Sequence, residues 1–201
     1  MYNLEEIKKD LRMKLSDYRY NHSLSVALVC IELANIYNVD KDKAYVVGLV
    51  HDIAKEFSDE ENIYYIEKYN LPRVDDEFKR IVHGEVGAAY LREKYNMDDE
   101  VCEAVRVHSI GSTDMTMLDK ILFVADKIEP GKDYPGIEDE RRVAKEDIDK
   151  ALLLCLENNY KQLIGKGRRM HPISLEVLDN LKKANRVWMV FLMVLSMLIF
   201  I

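Results

Sequence analysis

Four of the five histidines in this 201-residue chain fall into one ordered series with two aspartates. In chain order the members are His22, His51, Asp52, His83, His108 and Asp126. The fifth histidine, His171, lies outside the series. Imidazole nitrogens and carboxylate oxygens together suit a divalent transition metal such as iron or manganese, and suit magnesium less well. The series therefore predicts a metal site.

The adjacent pair His51–Asp52 follows an apolar run at 45–50, where a buried helix is expected. Burying an imidazole beside a carboxylate is unfavourable unless both groups bind the same cation. Neighbours on a helix lie about 100° apart, so this pair can approach one ion from two directions. His22 and Asp126 would come from two other helices, which predicts a metal site between helices of a bundle. A single buried histidine is more often a hydrogen-bonded core residue, but the joint pattern favours ligation.

A metal site of this composition predicts an enzyme that hydrolyses a bond to phosphorus. Four protein ligands leave room in the coordination shell for a water and a phosphate oxygen, and the bound water loses several pKa units. Hydroxide can then attack without a nucleophilic side chain. His83 and His108 could hold a second metal, or could contact phosphate and protonate the leaving group. The sequence leaves both roles open.

Basic residues close to the series are candidate phosphate contacts. Arg19 lies three residues before His22, on the same side of its helix, and Lys55 lies four residues after His51. Lys127 follows Asp126, and a Pro- and Gly-rich loop at 130–136 should border the site. Each cation could equally be a solvated surface charge.

Every periodic segment has helical spacing, so we predict an all-α fold with one domain. Predicted helices run from 17 to about 37, 77 to about 95, 138 to 144, 147 to about 164 and 174 to about 186. Five further helices are predicted. The first contains Leu4 to Leu15, the second ends at His51, the third starts after Ser58, and the last two contain His108 and Asp126. Asp40 is a predicted N-cap, and Ser58 with Glu61 a predicted capping box.

Charge and cysteine content narrow the class of protein. A net charge of −7 argues against a nucleic-acid-binding surface. The three cysteines are Cys30, Cys102 and Cys155, and they lie in apolar helical segments, which predicts reduced core residues in a cytoplasmic protein. The first residues lack the basic and apolar regions of a signal peptide.

The last 15 residues, 187–201, are apolar all round. This tail is shorter than the ~20 residues that span a bilayer. Membrane anchoring, burial in a dimer interface and an extension unrelated to function all remain open. We divide the chain into a metal-dependent hydrolase domain at 1–186 and this tail.

Several segments resemble the HD-domain phosphohydrolase superfamily. They are Arg19 to Ser23, Gly48 to Lys55, Val82 to Gly84 and Val107–His108. The stretch Leu122 to Lys132, with Tyr134 to Gly136 and Arg141–Arg142, is similar to the narrower YqeK family. The resemblance covers about residues 3–185. Lys132 stands where an Arg is common, and the apolar tail departs from the family pattern.

This resemblance implies a single HD-domain helical bundle that hydrolyses diadenosine tetraphosphate symmetrically to two ADP. It also implies an iron-type metal, a homodimer, and metal ligands at His22, His51, Asp52 and Asp126. Asp52, His83 and His108 are the expected catalytic residues. Expected substrate contacts are Arg19, Asp52, Lys55, His83, His108, Ser109, Asp126, Lys127 and Lys132.

Two other functions remain open. One is HD phosphohydrolysis of another nucleotide: a nucleoside monophosphate, a dNTP or a cyclic dinucleotide. The other is nucleotide sensing without turnover, through a partner or the membrane. The complete ligand series speaks against a sensor, since a degenerate domain should have lost a ligand.

Overall fold

A computed structural model describes residues 2–72 and 76–199, with side chains described for residues 2–72 and 77–185. This part of the chain contains ten α-helices, one 3-10 helix and no strand. The helices are α1 Leu4–Lys14, α2 Asp17–Ile36, α3 Lys41–Val50, α4 Asp59–Lys68, α5 Val82–Tyr95, α6 Asp99–Val107, α7 Met117–Ile128, α8 Ile137–Ala144, α9 Ile148–Gly165 and α10 Pro172–Ile199. The 3-10 helix, Asp76–Ile81, precedes α5. The all-α prediction is confirmed.

Helix boundaries follow local capping chemistry. Asp40 caps α3 by accepting from the N–H groups of Asp42 and Lys43. Ser58 and Glu61 form the predicted capping box at α4, and Thr116 begins α7 with another capping box. These side chains satisfy N–H groups that have no partner within the helix.

The core is built around α2, which packs against α3 and α7, while α6 packs against α3, α5 and α7. Gly48 permits the contact between α2 and α3, because a Cβ there would lie 2.5 Å from Cα of Ala27. The three cysteines are buried and free, as predicted.

Two predicted helices differ from the structure near histidines. The helix expected to contain His51 and Asp52 ends at Val50, and both residues lie in the following turn. The His51 ring donates from Nδ1 to the carbonyl of Gly48 at 2.8 Å, an acceptor that a continuing helix would use itself. The expected helix at 77–95 is similarly split, because the carbonyl of Arg80 accepts from the His83 ring at 2.9 Å.

The last helix also differs from its prediction. It begins at Pro172, a residue suited to a first helical turn, and its backbone continues past 186 to Ile199. The side chains of the apolar tail at 187–201 lie outside the described residues. Within the described part, no helix is both long and apolar enough to cross a membrane.

Candidate metal centre and its surroundings

Five helices bring the His/Asp series together. His22 comes from α2, His51 and Asp52 from the turn after α3, His83 from the first turn of α5, His108 from the end of α6 and Asp126 from α7. The four histidines and Asp52 are buried, and the Asp126 side chain is 15% exposed. His171 lies apart, with its ring 5.0 Å from that of Phe78.

Four side chains form the first half of the cluster. Oδ1 of Asp126 lies 3.1 Å from Nε2 of His22 and 3.8 Å from Nε2 of His51. Oδ2 of Asp52 lies 3.9 Å from Nε2 of His22 and 3.5 Å from Nε2 of His51. Two imidazole nitrogens therefore face two carboxylates across a small space.

All four imidazoles point their Nε2 atoms inward, because each Nδ1 has an acceptor outside the cluster. The Nδ1–H groups of His51, His83 and His108 donate to the carbonyls of Gly48, Arg80 and Val105. His22 instead donates from Nδ1 to the carboxylate of Glu129 at 3.1 Å. With the proton on Nδ1, each Nε2 carries a lone pair, as metal ligation requires.

This arrangement fits a divalent cation. Nε2 of His22 and Nε2 of His51 are buried without a hydrogen-bond partner. The lone pairs on these nitrogens and the nearby carboxylate oxygens repel one another unless a cation lies between them. His22, His51 and Asp52 offer ligand atoms close enough to share one ion. The donor set of imidazole nitrogens and carboxylate oxygens therefore supports a divalent metal cofactor.

Asp52 joins this half to a second one. Its Oδ1 lies 3.1 Å from Nε2 of His83 and 3.6 Å from Nε2 of His108. Those two nitrogens are 3.0 Å apart, and the Ser109 hydroxyl lies within 3.3 Å of both. The Lys55 ammonium is 3.1 Å from Nε2 of His83. Asp52, His83 and His108 offer ligand atoms close enough to share one ion, and the two Nε2 atoms are also close enough to share a proton.

Three of the predicted cations pair with the candidate ligands, and one of them is Lys55, whose ammonium lies 3.7 Å from Oδ1 of Asp52. Arg19 donates from its NH1 group to Oδ2 of Asp52 at 2.8 Å, while its buried Nε has no partner. Lys127 donates to Oδ2 of Asp126 at 2.6 Å. Lys132 lies on the following loop, where its carbonyl accepts from Arg141. Among the described residues, the contacts of the cluster carboxylates are with other cations, namely Arg19, Lys55 and Lys127.

Burial and charge set the protonation states. Burial lowers the pKa of His51 to about 4 and also lowers the pKa values of His83 and His108. Burial alone would raise the pKa of Asp52, but the histidines and Lys55 hold it well below its usual range. Lys127, His22 and His51 do the same for the pKa of Asp126. Near neutral pH these groups are neutral imidazoles and charged carboxylates, the states that bind metals.

Burial and neighbouring charges also shift the pKa values of Lys55 and Lys127. Burial lowers the pKa of Lys55. Burial opposes charge on Lys127 too, yet the Asp126 carboxylate raises the pKa of Lys127 above its ordinary value. Lys127 is thus a fixed positive charge at the edge of the cluster.

Sequence reasoning assigned no role to Glu129, although it is 4% exposed and bonds to His22. Its position three residues after Asp126, directly after the last residue of α7, was the available signal. Sequence reasoning also gave no role to Glu140, which is fully buried and accepts from Tyr134 and from Nδ2 of Asn158. These contacts hold the loop that follows α7.

Known proteins match this chain over the same residues. A family model of the HD domain matches residues 19–131, a span that contains all the candidate ligands. A crystal structure from Clostridium acetobutylicum, described as a predicted HD superfamily hydrolase involved in NAD metabolism, superposes with a TM-score of 0.84. It is 34% identical, covering 92% of this chain and 99% of that one.

Two curated relatives extend the match. A symmetrical bis(5'-nucleosyl)-tetraphosphatase of Halalkalibacterium halodurans is 35% identical over 170 residues, which are 83% of this chain and 90% of the relative. The protein of the same name from Staphylococcus aureus is 35% identical over 182 residues, which are 88% of this chain and 93% of the relative. The chain therefore belongs to the HD domain family and, within it, to the YqeK family of symmetrical bis(5'-nucleosyl)-tetraphosphatases.

Proposed function

We propose that this protein hydrolyses dinucleoside tetraphosphates symmetrically, so that diadenosine tetraphosphate and water give two ADP. One observation carries the proposal: two buried Nε2 atoms without partners face two carboxylates at a point bordered by Arg19, Lys55 and Lys127. A cation at that point, ringed by positive side chains, suits a polyphosphate. The names of the relatives support a dinucleoside tetraphosphate as this polyphosphate.

We assign metal ligation to His22, His51, Asp52 and Asp126, with iron as the proposed metal and manganese or another divalent ion as a substitute. When bound, such a cation lowers the pKa of water and neutralises charge on phosphate oxygens. The Nδ1 bonds described above keep the imidazole lone pairs directed inward. Asp52 contributes one oxygen to each half of the cluster and so fixes their relative position.

The remaining polar groups bind and protonate the substrate in this proposal. Arg19 and Lys127 orient the central phosphates, and Lys55 and Ser109 lie beside the phosphate that leaves. Lys132 is proposed to contact a more distant phosphate from the loop after α7. Asp126 borders the same phosphates.

The reaction balances with these groups. The water oxygen forms a bond to one of the two central phosphorus atoms, and the bond from that phosphorus to the bridging oxygen breaks. Nε2 of His83 or His108, which carries a lone pair, accepts the proton that the attacking water loses and passes it to the bridging oxygen, which leaves as part of ADP. Both products are ADP because the broken bond lies at the centre of the chain of four phosphates.

We further propose that residues 1–186 form the catalytic domain, that the protein is a cytoplasmic homodimer, and that the tail at 187–201 has a separate role. Three free, buried cysteines support a reducing compartment. The family resemblance supports the dimer. Membrane contact through the tail is not favoured.

The test is product analysis. Purified protein loaded with Fe²⁺ or Mn²⁺ is incubated with diadenosine tetraphosphate in water enriched with ¹⁸O. The products are separated, and their masses are determined by mass spectrometry. We expect ADP alone, with ¹⁸O in one of each two molecules. Release of ATP and AMP would refute symmetrical cleavage. Turnover confined to a nucleoside monophosphate, a dNTP or a cyclic dinucleotide in parallel assays would refute the substrate assignment, and binding without turnover would indicate a sensor.

A further inference from the structure

His22 is oriented differently from the other three histidines of the cluster. The rings of His51, His83 and His108 each donate from Nδ1 to the carbonyl three residues earlier. Those carbonyls lie at helix ends or in the 3-10 helix, where backbone acceptors lack partners within an α-helix. His22 lies within α2, whose carbonyls accept from N–H groups of the same helix.

The acceptor for His22 must therefore come from another element, and Glu129 supplies it. Oε1 of Glu129 lies 3.1 Å from Nδ1 of His22, and the two residues are 107 positions apart in the chain. Both side chains are buried, with 3% exposure for His22 and 5% for Glu129. A charged acceptor in such a place holds a donor more strongly than a carbonyl does.

The carboxylate of Glu129 is itself held in place. Its Oε2 accepts from the backbone N–H of Gly131 at 2.6 Å. A Cβ at Gly131 would lie 3.0 Å from both carboxylate oxygens, so the close approach depends on glycine at this position. One carboxylate thus connects a candidate ligand on α2 to the loop that borders the site.

We propose that Glu129 is a positioning residue that keeps the His22 proton on Nδ1 and directs the Nε2 lone pair of His22 into the metal site. The Gly131 N–H group fixes the carboxylate in the orientation that this requires. The inference rests on the proposed role of His22 as a metal ligand. It assigns Glu129 no contact with substrate.

The test measures binding of Mn²⁺ alone, by competition with a chelator of known affinity, in the full-length protein. Glu129→Ala should raise the Kd for Mn²⁺ by about 10- to 100-fold, as is typical when the partner of a ligating histidine is removed. Glu129→Gln keeps an oxygen that can accept from His22, so its Kd should fall between those of wild type and Glu129→Ala. Gly131→Ala keeps the carboxylate but displaces it, and should also raise the Kd.

Glu140→Gln is the matched control, because Glu140 is a buried carboxylate that supports the same loop without touching His22. Its Kd should stay within about twofold of wild type. Far-UV circular dichroism of the metal-free variants confirms that they are folded. If the folded Glu129→Ala and Gly131→Ala variants both bind Mn²⁺ as wild type does, the inference is wrong. An equal loss of affinity in Glu140→Gln would also overturn it, since the loop alone would then explain the effect.

His22→Ala separates this inference from the proposed function. Weakened Mn²⁺ binding in His22→Ala with unchanged binding in the Glu129 variants would overturn only the role of Glu129. Unchanged binding in His22→Ala would instead overturn the metal site itself.

Discussion

Asp52→Asn should remove catalysis while preserving the fold, because the Asp52 carboxylate faces both halves of the cluster. Its Oδ2 accepts from Arg19 at 2.8 Å, and the side chain is 3% exposed. Asparagine has nearly the same volume, so the packing around this turn should survive. What is lost is the negative charge.

The size of the effect follows from the contacts that depend on this charge. A hydrogen bond to a charged group contributes about 1.5–3 kcal/mol, and the variant weakens the one from Arg19. We take the same about 1.5–3 kcal/mol as a lower bound for the attraction lost between the carboxylate and the cation. Their sum of about 3–6 kcal/mol corresponds to a rate loss of about 10²- to 10⁴-fold.

The assay is ADP release from diadenosine tetraphosphate at saturating Mn²⁺, expressed as kcat/KM, with far-UV circular dichroism on the same samples. Asp119→Asn is the matched control, since Asp119 is a carboxylate on α7 with 2% exposure. Asp119 lies seven residues before Asp126, about 10 Å along the helix. Asp119→Asn should keep wild-type turnover. A folded Asp52→Asn variant that keeps wild-type turnover would refute the site assignment.

Three further predictions concern stability and cofactor content. Gly48→Ala should destabilise the protein by about 1–3 kcal/mol in urea unfolding, since its Cβ would meet the backbone of Ala27 at 2.5 Å; unchanged stability would mean that α2 and α3 are less closely packed. The metal-free protein should lose thermal stability from about pH 7 to pH 5, since burial lowers the pKa of His51 to about 4 and the unfolded chain then binds a proton that the folded chain does not. This stability is fully present above the ordinary pKa of 6.5 and is lost as pH falls towards 4, so a melting temperature that rises on acidification would contradict it. Removal of the metal with a chelator should abolish ADP release. It should also lower the unfolding free energy by about 3 kcal/mol relative to protein with free metal at 100 times its Kd. Turnover that persists after the metal is removed would argue against a metal enzyme.

The sequence alone predicted the helical class and the members of the cluster. Helical periodicity and capping residues such as Asp40 and Ser58 are local properties, so they can be read without knowledge of the fold. Buried carboxylates beside histidines are also visible in sequence, because apolar neighbours on both sides imply burial.

Only the tertiary structure decided how these groups are oriented. The sequence could not show that α3 ends at Val50, before His51. The end of the helix coincides with a hydrogen bond from the His51 ring to the carbonyl of Gly48, and the direction of a ring is not visible in a sequence. Nor could the sequence show that Arg19 bonds to Asp52 while Lys127 bonds to Asp126. Loop paths and side-chain directions depend on packing between distant segments.

Glu129 illustrates the same division. In the sequence it is one acidic residue three positions after Asp126, and that spacing does not show which side chain it contacts. Its contact with His22 joins positions 107 residues apart, and it exists because α2 and α7 pack side by side. Residue types and their order thus determined which chemistry was available to this protein, and helix packing decided which atoms meet to perform it.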